Sequence, residues 1–129
     1  MEKVTGIGGF FFLGKNLSVL NDWYEIHLGV RKVGQTYEEG SWWQDEGPTV
    51  FGAESEEFQV GGAGHSWRIN FRVSNLDAMI NQLRKSGIAV KADPEIHPNG
   101  HFAHLHDPEG NSIELWEPSG TDSLRPNET

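Results

Sequence analysis

Four of the six histidines, His97, His101, His104 and His106, fall within one ten-residue stretch. His104 and His106 are two apart in a segment that reads as a strand, so they share a face. Glu114 follows beyond a turn signal, Asp107-Pro108-Glu109-Gly110, in which proline presets φ and glycine accepts the difficult end. If the turn spans Asp107 to Asn111, His104 sits across from Glu114 and both look the same way. A histidine titrates near neutrality, so it can move a proton or bind a polar group. Arg68, Asn70 and Arg72 form the polar set of a second strand-like run, alternating with Trp67, Ile69, Phe71 and Val73. A guanidinium grips carboxylates in bidentate fashion. Trp42, Trp43, Phe51, Phe102 and Trp116 supply stacking surface.

Each group also has a plainer reading. Strand histidines are commonly exposed or hydrogen-bonded without chemistry, and aromatic residues commonly fill cores. A polar strand face is commonly just wet. His27 and His65 look incidental. For the clustered histidines three readings stand: plain strand residues, a cavity His104 acting with Glu114, or a metal site made of His104, His106 and Glu114.

Two similar sets of elements would position these residues. Gly6 to Leu13 is apolar and reads as a strand. Asn16 is placed to cap a helix over Leu17 to Leu28, with Leu17, Leu20, Trp23, Tyr24 and Leu28 at helical spacing and Gly29 as the stop. In the second half the strand Trp67 to Val73 leads to Ser74 or Asn75 as cap. A helix with Leu76, Met79, Ile80 and Leu83 on one stripe follows, then Gly87. The hairpin-like segments 40–51 and 102–114 also match. In the second, Leu105, Ile113 and Leu115 would face the helices while His104 and Glu114 face a cleft. One copy cannot cover both faces of its sheet, but two copies can build helices outside and a cleft inside. The reading is a single domain over 1–129: module 1 at about 4–56, a linker at about 57–65, module 2 at about 66–118 and a frayed tail at 119–129. The fold class is α+β, with two βαβββ modules forming a curved mixed sheet around a cleft.

Bulk composition narrows the function classes. There is no cysteine, which excludes disulfides and thiolate metal sites. Nineteen acidic against ten basic residues give a net charge of −9, unfavourable for nucleic acid or an anionic membrane. No stretch approaches the ~20 apolar residues of a membrane span. Phe10-Phe11-Phe12-Leu13 lacks the basic flank and cleavage site of a signal peptide, so the expected location is the cytoplasm. Gly61-Gly62-Ala63-Gly64 lacks the lysine of a phosphate loop, and no nucleophile motif is present.

The layout resembles the vicinal oxygen chelate superfamily of glyoxalases, bleomycin-resistance proteins and dioxygenases. The residues that carry the resemblance are Leu20, Trp23, Tyr24, Leu28 and Gly29 in the first helix, the run Ile69 to Leu76, and above all Asp107-Pro108-Glu109-Gly110-Asn111-Ser112-Ile113-Glu114-Leu115. The resemblance covers about residues 5–118 and implies a small-molecule cleft and a homodimer. Its metal-using members take one ligand from the first strand and one from the last strand of each module. Of those four positions Glu114 is retained. Arg68 stands where a histidine is usual, Phe51 is the internal match of Glu114, and Gly8 or Gly9 matches Arg68. A catalytic ion wants ~3 protein ligands, and a fixed guanidinium would repel it. In fosfomycin-resistance relatives a cavity residue matches His104.

The reading is therefore a glyoxalase- or bleomycin-resistance-like protein that binds or converts a small molecule without the usual divalent metal. Glu114 and His104 are the candidate catalytic pair. Arg68, Asn70, Arg72, Trp42, Trp43, Phe51, Phe102, His106 and Trp116 are the candidate ligand-binding set. The alternative is a metal-dependent lyase, isomerase or dioxygenase using His104, His106 and Glu114. Whether the chain is an enzyme stays open at this point. Drug sequestration fits the acidic charge and the tryptophans, but Arg68 and Arg72 would oppose a cation.

Overall fold

The computed structural model describes residues 1–55 and 66–126. The whole of the expected linker, and the last three residues of the expected tail, lie outside the described residues. The architecture is α+β: a curved, mixed four-stranded sheet carrying two helices. Helix α1 spans Leu17–Leu28, and Asn16 caps it by accepting a hydrogen bond from Val19 N at 3.3 Å. Gly29 ends it in the left-handed region at φ 72°, which costs glycine no Cβ clash. Helix α2 spans Leu76–Lys85, and Asn75 rather than Ser74 is its cap, accepting from Ala78 N at 3.0 Å. Leu76, Ile80 and Leu83 form its buried stripe, at the spacing that one helix face requires.

The four strands are β1 (Ile69–Arg72), β2 (Lys91–Ala92), β3 (Gly100–His106) and β4 (Ser112–Pro118), in the order β1-β4-β3-β2. β1 runs parallel to β4, while β3 is antiparallel to both β4 and β2. The turn between β3 and β4 closes through Asp107 N to Asn111 O at 3.1 Å and Gly110 N to Asp107 O at 3.0 Å. This five-residue connection sets His104 opposite Glu114. Because strand side chains alternate, it also sends Ala103, Leu105, Ile113 and Leu115 to the other face. There they are buried with Leu20, Tyr24, Leu76, Ile80 and Leu83, so both helices cover the same apolar side.

The first half departs from the expected symmetry. Among the described residues neither Gly6 to Leu13 nor the segment 40–51 takes part in a strand ladder. Glycines at 6, 8, 9, 40 and 47 weaken any strand they interrupt, and Pro48 has no N–H to give a ladder. Side chains hold these segments instead. The rings of Phe10 and Phe12 lie 5.1 and 5.7 Å from Trp67, Phe12 meets Tyr24 at 5.7 Å, and Arg72 donates to the carbonyls of Asp45 and Pro48. At the other end, Ser119 N donates to Asn99 O at 3.0 Å and Gly120–Ser123 form a 3₁₀ turn, so order extends into the expected tail.

Candidate functional site

The face of the sheet away from the helices carries polar residues from all four strands. The registers Asn70↔Glu114, Glu114↔His104 and His104↔Lys91 put one residue of each strand in a line across the sheet. Three of the four are joined by hydrogen bonds. Asn70 Nδ2 donates to Glu114 Oε1 at 2.8 Å, and His104 Nε2 lies 2.7 Å from Glu114 Oε2. Arg68 adds its guanidinium 3.6 Å from Glu114 Oε1. The Glu114 side chain is only 13% exposed, while that of His104 is 42% exposed, so the carboxylate is the inner member of the pair.

A hollow of about 410 Å³ opens beside His104, lined by Lys91, Ala92, Asp93, Pro94 and His104. On its rim His97 Nε2 meets Asp93 Oδ2 at 3.0 Å. The hydrogen bond to Asp93 is the main reason that the His97 imidazole is held above its usual range, with Glu95 and the Asp93 charge assisting against desolvation. Asp93 is pulled below the usual carboxylate range by the Glu95 N–H first and by His97 second. A larger hollow, about 560 Å³, lies on the outer side of α1 and shares no residue with this face. Its charged lining is internally paired, with Lys32 Nζ 2.7 Å from Asp22 and Lys32 N donating to Glu25.

The remaining expected site residues divide by location. Phe102 is on the same face as His104, half-buried, and its ring lies 6.2 Å from Trp116 at an angle of 5°. Trp116 is on that face too, but it is 2% exposed and its Nε1 donates to Asn99 O at 2.8 Å. The chain at Asn99–Gly100 thus lies against the indole. Arg72 is turned to the first half, with NH1 on Pro48 O and NH2 on Asp45 O, both at 2.6 Å. His106 is exposed at the end of β3, opposite Ser112, whereas His101 alternates onto the side of Ala103. Trp42, Trp43 and Phe51 are 39%, 90% and 90% exposed, so neither tryptophan packs in the core. Sequence reasoning missed Lys91 and Asp93, and named His97 only as one of the clustered histidines. A two-residue strand carries no readable period, though Lys91 and Asp93 do alternate around Ala92.

These donors do not fit a catalytic divalent ion. His104 and Glu114 spend on each other the atoms they would turn to a metal, and a guanidinium stands alongside. Among the described residues no three His, Asp or Glu side chains are placed to share an ion. What the arrangement offers is a histidine oriented by a carboxylate. Asn70 fixes the carboxylate in turn, next to an open hollow lined by Lys91 and Asp93.

A family model described as Glyoxalase/Bleomycin resistance protein/Dioxygenase superfamily matches residues 11–115. No curated protein sequence matches the chain. Among solved structures, TnmS3, an antibiotic binding protein from Streptomyces sp. CB03234, is similar with a TM-score of 0.58 at 18% identity, over 92% of this chain and 100% of that one. A glyoxylase/bleomycin resistance protein/dioxygenase domain from Frankia sp. EAN1pec also gives a TM-score of 0.58, at 14% identity, over 91% of this chain and 100% of that one. These two likenesses establish the fold. The family match runs from before α1 through Glu114, and the chain therefore belongs to the Glyoxalase/Bleomycin resistance protein/Dioxygenase superfamily.

Proposed function

We propose that this chain binds a small organic molecule against the polar face of its sheet, with His104 and Glu114 at the centre and without a divalent ion. The observation that carries this reading is the saturation of Glu114 by Asn70, His104 and Arg68. A carboxylate so engaged is an orienting group. It favours the proton on His104 Nε2, which leaves the Nδ1 lone pair for a ligand proton. His104 is then the acid/base member and Glu114 steadies the imidazolium when it forms. The relative TnmS3 is an antibiotic binding protein, and small-molecule binding on this fold agrees with the reading.

The partner we propose for the first half is a second copy of the chain. Phe11, Leu13, Trp43, Val50 and Phe51 stand exposed there, and clustered apolar exposure marks interaction surfaces.

Thermal-shift screening of the full chain against small organic molecules, with and without Zn²⁺, Ni²⁺ or Mn²⁺, tests the ligand site. Hits are expected to raise the unfolding midpoint equally in the presence of a chelator, and Glu114→Gln and His104→Ala should weaken them. A ligand at ~100 times its dissociation constant adds roughly 2.7 kcal/mol. Stoichiometric metal that depends on Glu114, or hits that need added metal, would overturn the metal-free reading.

A further inference from the structure

The line Asn70–Glu114–His104–Lys91 crosses the whole sheet, yet its hydrogen bonds stop at His104. Lys91 is its open end. It stands across the ladder from His104 and lines the same hollow as His104. Among the described residues no carboxylate lies within ion-pair distance of its ammonium. The other cations on this face are already committed: Arg72 to two backbone carbonyls and Arg68 to Glu114. The carboxylates are committed as well. Glu114 has three partners, and Asp93 accepts from Glu95 N at 3.0 Å and pairs with His97. Asp93 in the lining is thus answered by His97, and Lys91 is the charge of the hollow left without a counter-charge among the described residues, in a chain whose net charge is −9. Charges farther from Lys91 than about a Debye length, ~8–10 Å, are largely screened from it.

We infer that Lys91 anchors an organic carboxylate in the hollow beside His104, so that the ligand of this site is a small anion rather than the cation that the overall charge suggests. This rests on the proposed reading of the sheet face as a ligand site. Phe102 precedes His104 by two residues on β3, on the same face, with its ring stacked on Trp116. A ligand held by its carboxylate at Lys91 has that ring within reach for its apolar part. An aromatic carboxylate therefore uses the hollow, the lysine and the stacking surface together. His104 sits between the anchor and Glu114, where it can receive a proton from the ligand.

Benzoate is the probe, with benzamide as its uncharged isostere and benzylammonium as its cationic counterpart. Each is titrated into the full chain while the imidazole signals of His104 are followed by NMR. Benzoate should bind tightest. Lys91→Met should weaken benzoate by about tenfold or more, as loss of a charge-assisted hydrogen bond requires, and leave benzamide unchanged. Lys91→Arg should restore most of the loss. Lys91 is exposed on an edge strand, so an unchanged unfolding midpoint for Lys91→Met confirms that folding is not the cause. Benzamide or benzylammonium binding as well as benzoate would overturn the charge assignment alone, and so would full benzoate affinity in Lys91→Met. Failure of all three probes to move His104 would overturn the ligand site itself.

Discussion

Tyr24→Phe removes one hydroxyl from the interior, and its cost follows from what that hydroxyl touches. Tyr24 Oη donates to Asp107 Oδ2 at 2.7 Å, and both side chains are buried. Burial, with Asp107 beside it, pushes the phenol well above its usual range, so it stays a donor throughout the neutral region. After the substitution Asp107 still accepts from Asn111 Nδ2 at 2.7 Å, Glu109 N at 2.8 Å and Asn111 N at 3.1 Å. No donor is orphaned, so the loss is one charge-assisted hydrogen bond, partly offset by the easier burial of Phe. We expect about 1.5 kcal/mol. Asp107→Ala differs in kind, because it strands the Tyr24 hydroxyl and the Asn111 amide in the interior, at about 1–3 kcal/mol each. Its total should reach roughly 3–5 kcal/mol. For a chain of 129 residues the unfolding entropy near the midpoint is about 0.27 kcal/mol/K, so Tyr24→Phe should lower Tm by about 5–6 °C. Urea titration checks this, with the midpoint moving and the slope constant. An unshifted midpoint for Tyr24→Phe, or one as large as that of Asp107→Ala, would refute the argument.

Three further outcomes are expected. The His97 imidazole should titrate above the ordinary histidine range by NMR, and Asp93→Asn should bring it down; a midpoint indifferent to Asp93 would contradict the pairing. Because the folded value is raised, the pairing contributes stability below the unfolded value near 6.5, and that contribution is lost as pH rises through the folded value. Gly100→Ala should destabilise by roughly 2–4 kcal/mol and change the near-ultraviolet tryptophan signal, since its Cβ would meet Glu117 O at 2.1 Å and Trp116 Nε1 at 2.7 Å in a backbone with φ 139°. Phe51→Glu should leave the unfolding midpoint of the isolated chain nearly unchanged but shift light-scattering mass toward the monomer; an unaltered dimer mass, or a monomeric wild type, would count against a second copy on this face.

Much of the second half was legible because its signals are local. Asn16 and Asn75 mark both helix starts. The turn chemistry of Asp107 to Asn111 fixes a register that only one pairing of His104 with Glu114 satisfies. The strands expected in the first half were not borne by ladders, since apolar content in Gly6 to Leu13 reports burial against Trp67 as readily as pairing. The site was legible in its members and not in its commitments. Arg72 reads as a ligand anchor until the carbonyls of Asp45 and Pro48 are seen to take its donors. Trp116 reads as an open wall until Asn99 and Gly100 lie against it. Lys91 was invisible for the opposite reason: what matters is that nothing on its own strand answers it, and only the neighbouring strand shows why.

The signature turn reaches back across the chain as well as across the hairpin. Glu109 accepts from Lys15 N and Asn16 N at the start of α1, over separations of 94 and 93 residues, and Asp107 meets Tyr24 over 83. At ordinary synthesis rates α1 is therefore synthesised roughly 4–17 s before its anchoring residues exist. Until then Leu20 and Tyr24 have no sheet to rest on, and contacts this distant in sequence slow the closing step. Synthesis halted before residue 107 should leave that helix undocked and open to proteases or chaperones, so the last quarter of the polypeptide decides when the first quarter folds.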